Sequence, residues 1–194
     1  MCLPAQGEDP LTVPTLLRSG GDQQDRALDR RFDPPTGGVY LTWTVPLRDA
    51  RDCYQRALDL SPDNYVALLG MGVTLVLAAE REQDTVLRRA YLHSARRHLG
   101  EAFFARQGQY DPLYYMAVAA VVADDHAQAR RFLDRLLRAR YRPGEVHALL
   151  GYLDELGLQR RSALQHYGQT LALGASTQTL QFVARRASRI GGRR

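Results

Sequence analysis

The chain contains 194 residues, of which 45% are hydrophobic and 24% are charged, a composition typical of globular proteins. Every one of its 26 basic residues is arginine, because the sequence contains no lysine. Chemistry that needs lysine is therefore excluded, including a phosphate-binding GK[ST] loop, a Schiff base and a Ser-x-x-Lys acylation site. No uncharged apolar run approaches the roughly 18 residues that a membrane span needs, so we expect no transmembrane segment.

The net charge of +5 is concentrated near the end of the chain. Residues 158–194 contain 7 arginines and no acidic residue, whereas residues 1–64 contain 7 arginines and 10 acids. Such a basic stretch is suited to contact acidic protein, nucleic acid or anionic lipid. A solvent-exposed face rich in arginine is the simpler interpretation, and the sequence alone leaves both open.

The cysteine content argues against a disulfide-rich scaffold. Cys2 and Cys53 are too few for a disulfide framework or a four-cysteine zinc site, and we interpret them as reduced thiols. The N-terminus shows no signal-peptide pattern, which favours a cytoplasmic location. An envelope-associated lipoprotein is the alternative, if Cys2 follows a removed signal peptide.

Residues 1–46 are expected to form an irregular N-terminal arm. They contain six of the nine prolines and two Gly-Gly pairs, which argues against a long helix, although a short one is indicated over residues 22–32. Residues 39–45 alternate apolar and mostly polar side chains and end before Pro46, which predicts a strand. Because a lone strand must pair or pack, its apolar residues are a candidate docking element: Val39, Leu41, Trp43 and Val45.

From residue 47 onward the apolar spacing becomes helical, and Gly, Asp or Pro separates successive segments. This pattern predicts antiparallel helix pairs stacked in sequence. The predicted helices cover residues 48–60, 65–81, 85–106, 112–123, 127–140, 145–156, 160–173 and 177–190.

The spacing of Ala50, Tyr54, Ala57 and Pro62 resembles the second helix of a tetratricopeptide repeat, and Met71-Gly72 follows where that repeat has Leu-Gly. Weaker versions of the pattern contain Ala95, Leu99 and Ala102, then Ala117, Ala129, Leu133 and Leu136, and finally Leu150-Gly151, Ala163, Tyr167 and Thr170. The resemblance implies an all-α fold, a right-handed α-α superhelix of antiparallel helix pairs. About four degenerate repeats would cover residues 47–175, followed by a capping helix and basic tail over 176–194. A generic helical bundle is the alternative.

In this family the first helix of each repeat lines a concave face, so the resemblance implies a binding groove. Transferring the register places these residues there: Val66, Leu69, Val73, Val76, Leu77, Tyr114, Val118, Val121, Val122, Ala148, Tyr152, Glu155 and Leu156. None of them is Lys, Arg or Asn, unlike the family members that hold a C-terminal carboxylate with a basic clamp. The simpler alternative is that these side chains pack between helices.

The groove predicts a non-enzymatic adaptor, scaffold or chaperone-like escort that binds an apolar peptide or helix. The bound segment would come from a partner protein or from the chain's own N-terminal arm, and an assembly factor or subunit of a larger complex is one form of this role.

Arginine pairs suggest the alternative function, contact with nucleic acid or anionic lipid. The candidate basic patch contains Arg96, Arg97, Arg130, Arg131, Arg185 and Arg186, and the first four are expected on the convex side. Aromatic residues are not interleaved with these pairs as single-strand binding requires, and acids lie close enough in sequence to pair with some of them. We therefore favour surface ion pairing for these arginines.

No catalytic or metal-binding pattern is present in the sequence. The five histidines form no H-E-x-x-H motif, and neither G-x-S-x-G nor G-x-G-x-x-G occurs. Asp154 and Glu155 are adjacent, but neighbours on a helix diverge by about 100° and are poorly placed to share a substrate. We predict no enzymatic activity, no cofactor and no metal site.

Overall fold

The computed structural model describes residues 12–29 and 40–192 of the chain, with side-chain surroundings for residues 12–24 and 47–192. All regular secondary structure in these residues is helical. The helices are α1 Val13–Asp29, α2 Tyr40–Leu60, α3 Tyr65–Arg81, α4 Thr85–Ala105, α5 Asp111–Val122, α6 His126–Arg138, α7 Pro143–Leu156, α8 Arg160–Leu173 and α9 Thr177–Gly191.

Most of the later helices begin at residues that satisfy the first free backbone N–H groups. The side chains of Asn64, Asp84, Asp125 and Ser176 accept hydrogen bonds from these groups in α3, α4, α6 and α9. Proline occupies the first turn of α5 and α7. Backbone N–H groups in a first turn have no acceptor within the helix, so proline, which lacks an N–H, is well tolerated there. Local sequence therefore determines these helix starts.

The described helices form two compact units, α1–α5 and α6–α9, which divide between Ala123 and Asp124. Within each unit the consecutive helices that contact each other form antiparallel pairs. The main contacts between helices two positions apart join odd-numbered helices: α1 with α3 and α3 with α5 in the first unit, and α7 with α9 in the second. The odd helices therefore form one layer of each unit, which we call the inner layer because its helices correspond to the first helices of the expected repeats; the even helices form the outer layer. This is the all-α arrangement of stacked helix pairs predicted from the sequence.

Small residues allow close approach where the helices of a pair cross. A Cβ atom on Gly72 would lie 2.6 Å from the Leu99 side chain, and one on Gly151 would lie 2.6 Å from the Tyr167 ring. Both glycines occupy the small-residue positions that the repeat pattern predicts, and the contacts confirm their role in packing.

Helix α3 is buried along most of its length because it contacts α1, α2, α4 and α5. Its apolar composition therefore reflects its central position in the first unit. Among the described helices, none combines the length and apolar content that a bilayer crossing requires.

The prediction of an irregular arm is wrong over residues 13–29, because these residues form α1. Leu16 is buried, and Gly20 faces the Tyr54 ring so closely that an added Cβ would lie 2.9 Å from it. The Gly20-Gly21 pair was interpreted as a helix breaker, but the first glycine provides space for an aromatic ring. Helix α1 thus serves as the first helix of the first pair.

The predicted strand over residues 39–45 is wrong from Tyr40 onward, because residues 40–45 lie in the first turns of α2. Val39 lies outside the described residues, and the side chains of Leu41, Trp43 and Val45 are not among those whose surroundings are described. The alternation of apolar and polar residues predicts a strand when these residues are considered alone. In the structure they continue into the helical segment that ends at Leu60, and they adopt the helical conformation of that longer segment. The docking role of this segment stays a prediction.

The interpretation of Cys53 as a reduced thiol is also wrong, because this buried residue is disulfide-bonded. Its sulfur lies 3.7 Å from the Ser19 hydroxyl oxygen of α1. Cys2, the other cysteine of the sequence, lies outside the described residues.

Candidate functional site

The inner layer of the first unit contains nine of the predicted groove residues, and they differ in exposure. Val73, Val76 and Leu77 on α3 are buried, with only 5%, 2% and 5% of their surface exposed. They pack between helices, as the simpler interpretation of the pattern predicted. The other six remain partly or largely accessible, and we call them the apolar face: Val66, Leu69, Tyr114, Val118, Val121 and Val122.

Two contacts explain why the middle of α3 is closed. Val73 and Leu77 form a cluster with Leu47 of α2, and Leu69 packs against this cluster and against the main core. Val76 belongs to the main core itself. The apolar face therefore lies on a rigid base of buried side chains.

A polar link fixes α1 to the rest of the inner layer. The Gln24 side-chain amide donates to the Thr74 hydroxyl at 3.3 Å and to the Gly70 carbonyl at 3.4 Å, and its oxygen accepts from the Tyr54 hydroxyl at 3.3 Å. Gln24 lies in the short helix predicted over residues 22–32, but that helix was not assigned to the first repeat, so Gln24 was not among the predicted site residues.

Aromatic side chains border the apolar face. The rings of Tyr114 and Tyr115 meet edge to face, with centroids 5.4 Å apart. The Arg106 guanidinium lies 4.9 Å from the Tyr65 ring centroid at the start of α3. Burial, followed by the charge of Asp111, raises the pKa of Tyr65, so its hydroxyl stays protonated at neutral pH. The border is thus amphipathic while the face itself carries no charged residue.

In the second unit, Asp154 on α7 is a buried carboxylate with several partners. It accepts hydrogen bonds from the Arg130 guanidinium of α6 and the Ser162 hydroxyl of α8, and the His166 ring nitrogen lies 3.7 Å away. Burial alone would raise its pKa, but the hydrogen bonds from Ser162 and Arg130 outweigh burial and lower the pKa. Asp154 therefore remains ionised and joins three helices.

Glu155 has a separate set of partners. It accepts from the Tyr167 hydroxyl at 2.9 Å, from Arg186 at 3.0 Å, and from Arg189. Burial would raise its pKa, but the hydrogen bonds from Arg189, Tyr167 and Arg186 lower it. Burial and the nearby carboxylate raise the pKa of Tyr167. Asp154 and Glu155 thus serve different neighbours, consistent with the predicted divergence of adjacent helical residues.

The inner layer of the second unit combines aromatic rings with arginine. The Arg186 guanidinium lies 4.9 Å from the Tyr152 ring centroid and 5.1 Å from that of Phe182. The two rings meet edge to face at 5.9 Å. Leu156, the last residue of α7, is 43% exposed. Tyr152 is therefore packed against an arginine and a phenylalanine, and Leu156 is exposed at the end of the helix.

Sequence reasoning missed the α9 residues that face α7. The pairs that share one repeat position are Ala148 with Phe182, Tyr152 with Arg186, Glu155 with Arg189, and Leu156 with Ile190. Each pair is separated by 34 residues, the repeat length. If the 34-residue spacing is continued from α7 into α9, it identifies these residues and shows that two of them are arginines.

The arginine pairs of the candidate basic patch divide their roles. Arg97 lies 4.0 Å from Glu101, Arg130 binds Asp154, and Arg186 binds Glu155. Their neighbours Arg96, Arg131 and Arg185 are exposed. One member of each pair therefore has an acidic partner within its own unit, as the ion-pair interpretation predicted, and a common patch stays a prediction.

The remaining described polar groups of the second unit include a serine and two histidines. The Ser162 hydroxyl donates to the Asp154 carboxylate, which the Arg130 guanidinium also binds. The ring nitrogens of His147 and His166 lie 3.0 Å apart, but among the described residues no group of three or more His, Cys, Asp or Glu is placed to hold a metal ion.

No family model matches the sequence, and no curated protein matches it. Among solved structures, the chain is similar to a tetratricopeptide repeat protein from Parabacteroides merdae. The TM-score is 0.44, with 11% sequence identity, over 93% of this chain and 86% of that chain. Because this likeness is low, the fold assignment rests on the stacked helix pairs and glycine contacts described above.

Proposed function

We propose that the protein is a non-enzymatic interaction module whose first unit binds an apolar peptide or helix of a partner protein along the apolar face. The observation that carries this proposal is the accessibility of six uncharged residues on α3 and α5 above a closed core. Adaptor, scaffold, escort and assembly roles all require this kind of binding, and none of them requires catalytic groups.

The composition of the apolar face favours a protein segment over a charged ligand. Its members are aliphatic apart from Tyr114, and burying apolar surface contributes about 25 cal/mol per Å² before ordering costs. Val66 alone leaves 46% of its surface exposed in the first turn of α3. A rigid base lowers the ordering cost, because the bound segment meets preformed side chains.

The test uses two valines in matched positions. Val66 and Val86 are each the second residue of a helix, and both donate their backbone N–H to a capping side chain, Asn64 and Asp84 respectively. Both are exposed, but Val66 lies on the apolar face and Val86 on α4 of the outer layer. A peptide is selected from a randomised library on the wild-type protein, and its Kd is measured by fluorescence anisotropy.

Val66→Gln is expected to weaken binding about fivefold, as loss of roughly 1 kcal/mol of apolar burial requires, while Val86→Gln leaves Kd unchanged. Val118→Glu, with a charge in the middle of the face, is expected to abolish binding, and circular dichroism checks that the helices are retained. The proposal would be refuted if all three variants bound the peptide with the same affinity, or if Val86→Gln weakened binding as much as Val66→Gln. Binding that collapses with added salt would instead indicate ion pairs between acidic residues of the peptide and the arginines of the protein.

A further inference from the structure

A second surface with different chemistry lies at one end of the second unit. The end of α7, the start of α8 and the end of α9 enclose a depression of about 330 Å³. Its lining residues are Glu155, Leu158, Arg160, Arg189 and Ile190. We call it the arginine depression.

The single acid in the arginine depression does not cancel its positive charge. Glu155 is already bound by Arg186 and Arg189, and its side chain is only 14% exposed. The Arg189 side chain is 58% exposed, so its guanidinium retains donors that face solvent. Arg160 is exposed, and no described acid pairs with it. Two guanidinium groups are therefore available to an incoming anion.

The rest of the second unit also carries an excess of positive charge, which favours binding of an anion. Residues 124–194 contain 13 arginines and 6 acids, a net charge of +7, whereas residues 1–123 contain 13 arginines and 15 acids, a net charge of −2. A unit with this excess attracts anionic segments and accelerates their association.

Leu158 adds an exposed apolar side chain to the lining of the depression. It follows the C-cap Gly157 with a φ of 60°, in the left-handed region that leucine disfavours and that glycine or asparagine commonly occupies at a helix end. Its side chain gains little from burial, because the residue is 84% exposed. This conformation closes α7, because the Leu158 N–H donates to the Glu155 carbonyl and the Gln159 N–H donates to the Asp154 carbonyl. It leaves the leucine side chain exposed in the lining of the depression.

We propose that the arginine depression binds an acidic segment of a partner protein, with a carboxylate between Arg160 and Arg189 and a neighbouring apolar side chain against Leu158 and Ile190. The guanidinium groups match a carboxylate in shape and charge. The Tyr152 and Phe182 rings contact Arg186 and each other and do not line the depression, so no aromatic stacking surface for nucleic acid bases is part of it. This site is separate from the apolar face, and either proposal can fail without the other.

The probes are a short fluorescein-labelled peptide of alternating Glu and Leu and its Gln–Leu counterpart, and Kd is measured on the full chain. Arg160→Gln is expected to weaken binding of the Glu–Leu peptide about tenfold, as loss of a charge-assisted hydrogen bond requires. The matched control is Arg161→Gln, which removes the same charge from the adjacent exposed residue outside the depression. It is expected to change Kd less than twofold.

A second variant separates binding from folding. Asparagine tolerates the left-handed conformation, so Leu158→Asn is expected to keep or raise the melting temperature while it weakens peptide binding severalfold. Three results would overturn the proposal: equal losses with Arg160→Gln and Arg161→Gln, equal binding of the Gln–Leu peptide, or undiminished affinity of Leu158→Asn. Tighter binding of an oligonucleotide or of phosphatidylserine vesicles, with the same dependence on Arg160, would also overturn it by assigning the depression to phosphate.

Discussion

The inner layers of the two units place different side chains at the same repeat positions. In α5 of the first unit, three successive inner positions hold Val118, Val121 and Val122. The corresponding positions hold Tyr152, Glu155 and Leu156 in α7, and Arg186, Arg189 and Ile190 in α9. One helical scaffold therefore supports an apolar surface in the first unit and an ion-paired, arginine-rich surface in the second. Stacked repeats permit this because each helix needs to satisfy only its neighbours.

The polar interactions that link the helices also differ between the two units. In the first unit Gln24 bridges three helices with neutral hydrogen bonds. In the second unit two ionised carboxylates, Asp154 and Glu155, carry out the corresponding task. Mutations and pH should therefore affect the two regions differently.

The largest expected effect is that of Tyr167→Ala. Tyr167 is fully buried against Gly151 and donates a hydrogen bond to Glu155, so its loss creates a cavity and removes a partner of a carboxylate. We expect a loss of about 3–5 kcal/mol in the free energy of unfolding, measured by urea denaturation. The comparison variant is Tyr114→Ala on the half-buried apolar face, which should lose much less. A similar loss for both variants would contradict the distinction between core and binding surface.

The next effect concerns an adjacent pair of arginines. Arg130→Gln leaves the buried Asp154 without its guanidinium partner and should cost about 2 kcal/mol, because an unpaired buried charge is unfavourable. Arg131→Gln removes the same charge from an exposed site and should change stability by less than about 0.5 kcal/mol. Thermal unfolding of the two variants measures the difference. Equal stability would mean that Asp154 does not depend on Arg130.

The smallest expected effect is a loss of stability as the pH falls. The pKa values of Asp154 and Glu155 are lowered in the folded state, so the unfolded chain takes up these protons first as the pH falls. Their contribution is present above the ordinary carboxyl pKa of about 4 and is lost as the pH falls through the lower folded-state values. Melting temperatures measured from pH 6 to pH 2 should decline most steeply below about pH 4. Asp154→Asn should make the decline of melting temperature with falling pH less steep. An unchanged decline would show that Asp154 does not contribute to the acid dependence of stability.

Much of the fold could be predicted from local sequence. The predicted helices over residues 65–81 and 160–173 coincide with α3 and α8. Gly72 and Gly151 were predicted from spacing because a close helix crossing requires a small residue. These features depend on interactions within one helix or one pair.

The errors occurred where distant contacts decide the structure. Gly20 was taken as a sign of irregular chain, but in the fold it accommodates the ring of Tyr54. Residues 40–45 have a strand-like composition, yet they belong to a helix of 21 residues. Val73 and Leu77 were expected in an open groove, whereas Leu47 covers them.

The sequence by itself determined the helices from residue 47 onward, their caps and the apolar or charged character of each repeat position, because all of these follow from short-range spacing. Only the tertiary structure decided that α1 completes the first pair, that Asp154 and Glu155 bind different arginines, and that α9 contributes Arg189 to a depression with Arg160. The physical reason is that hydrogen bonds within a helix depend on near neighbours, whereas burial and ion pairing depend on which helices come to lie side by side.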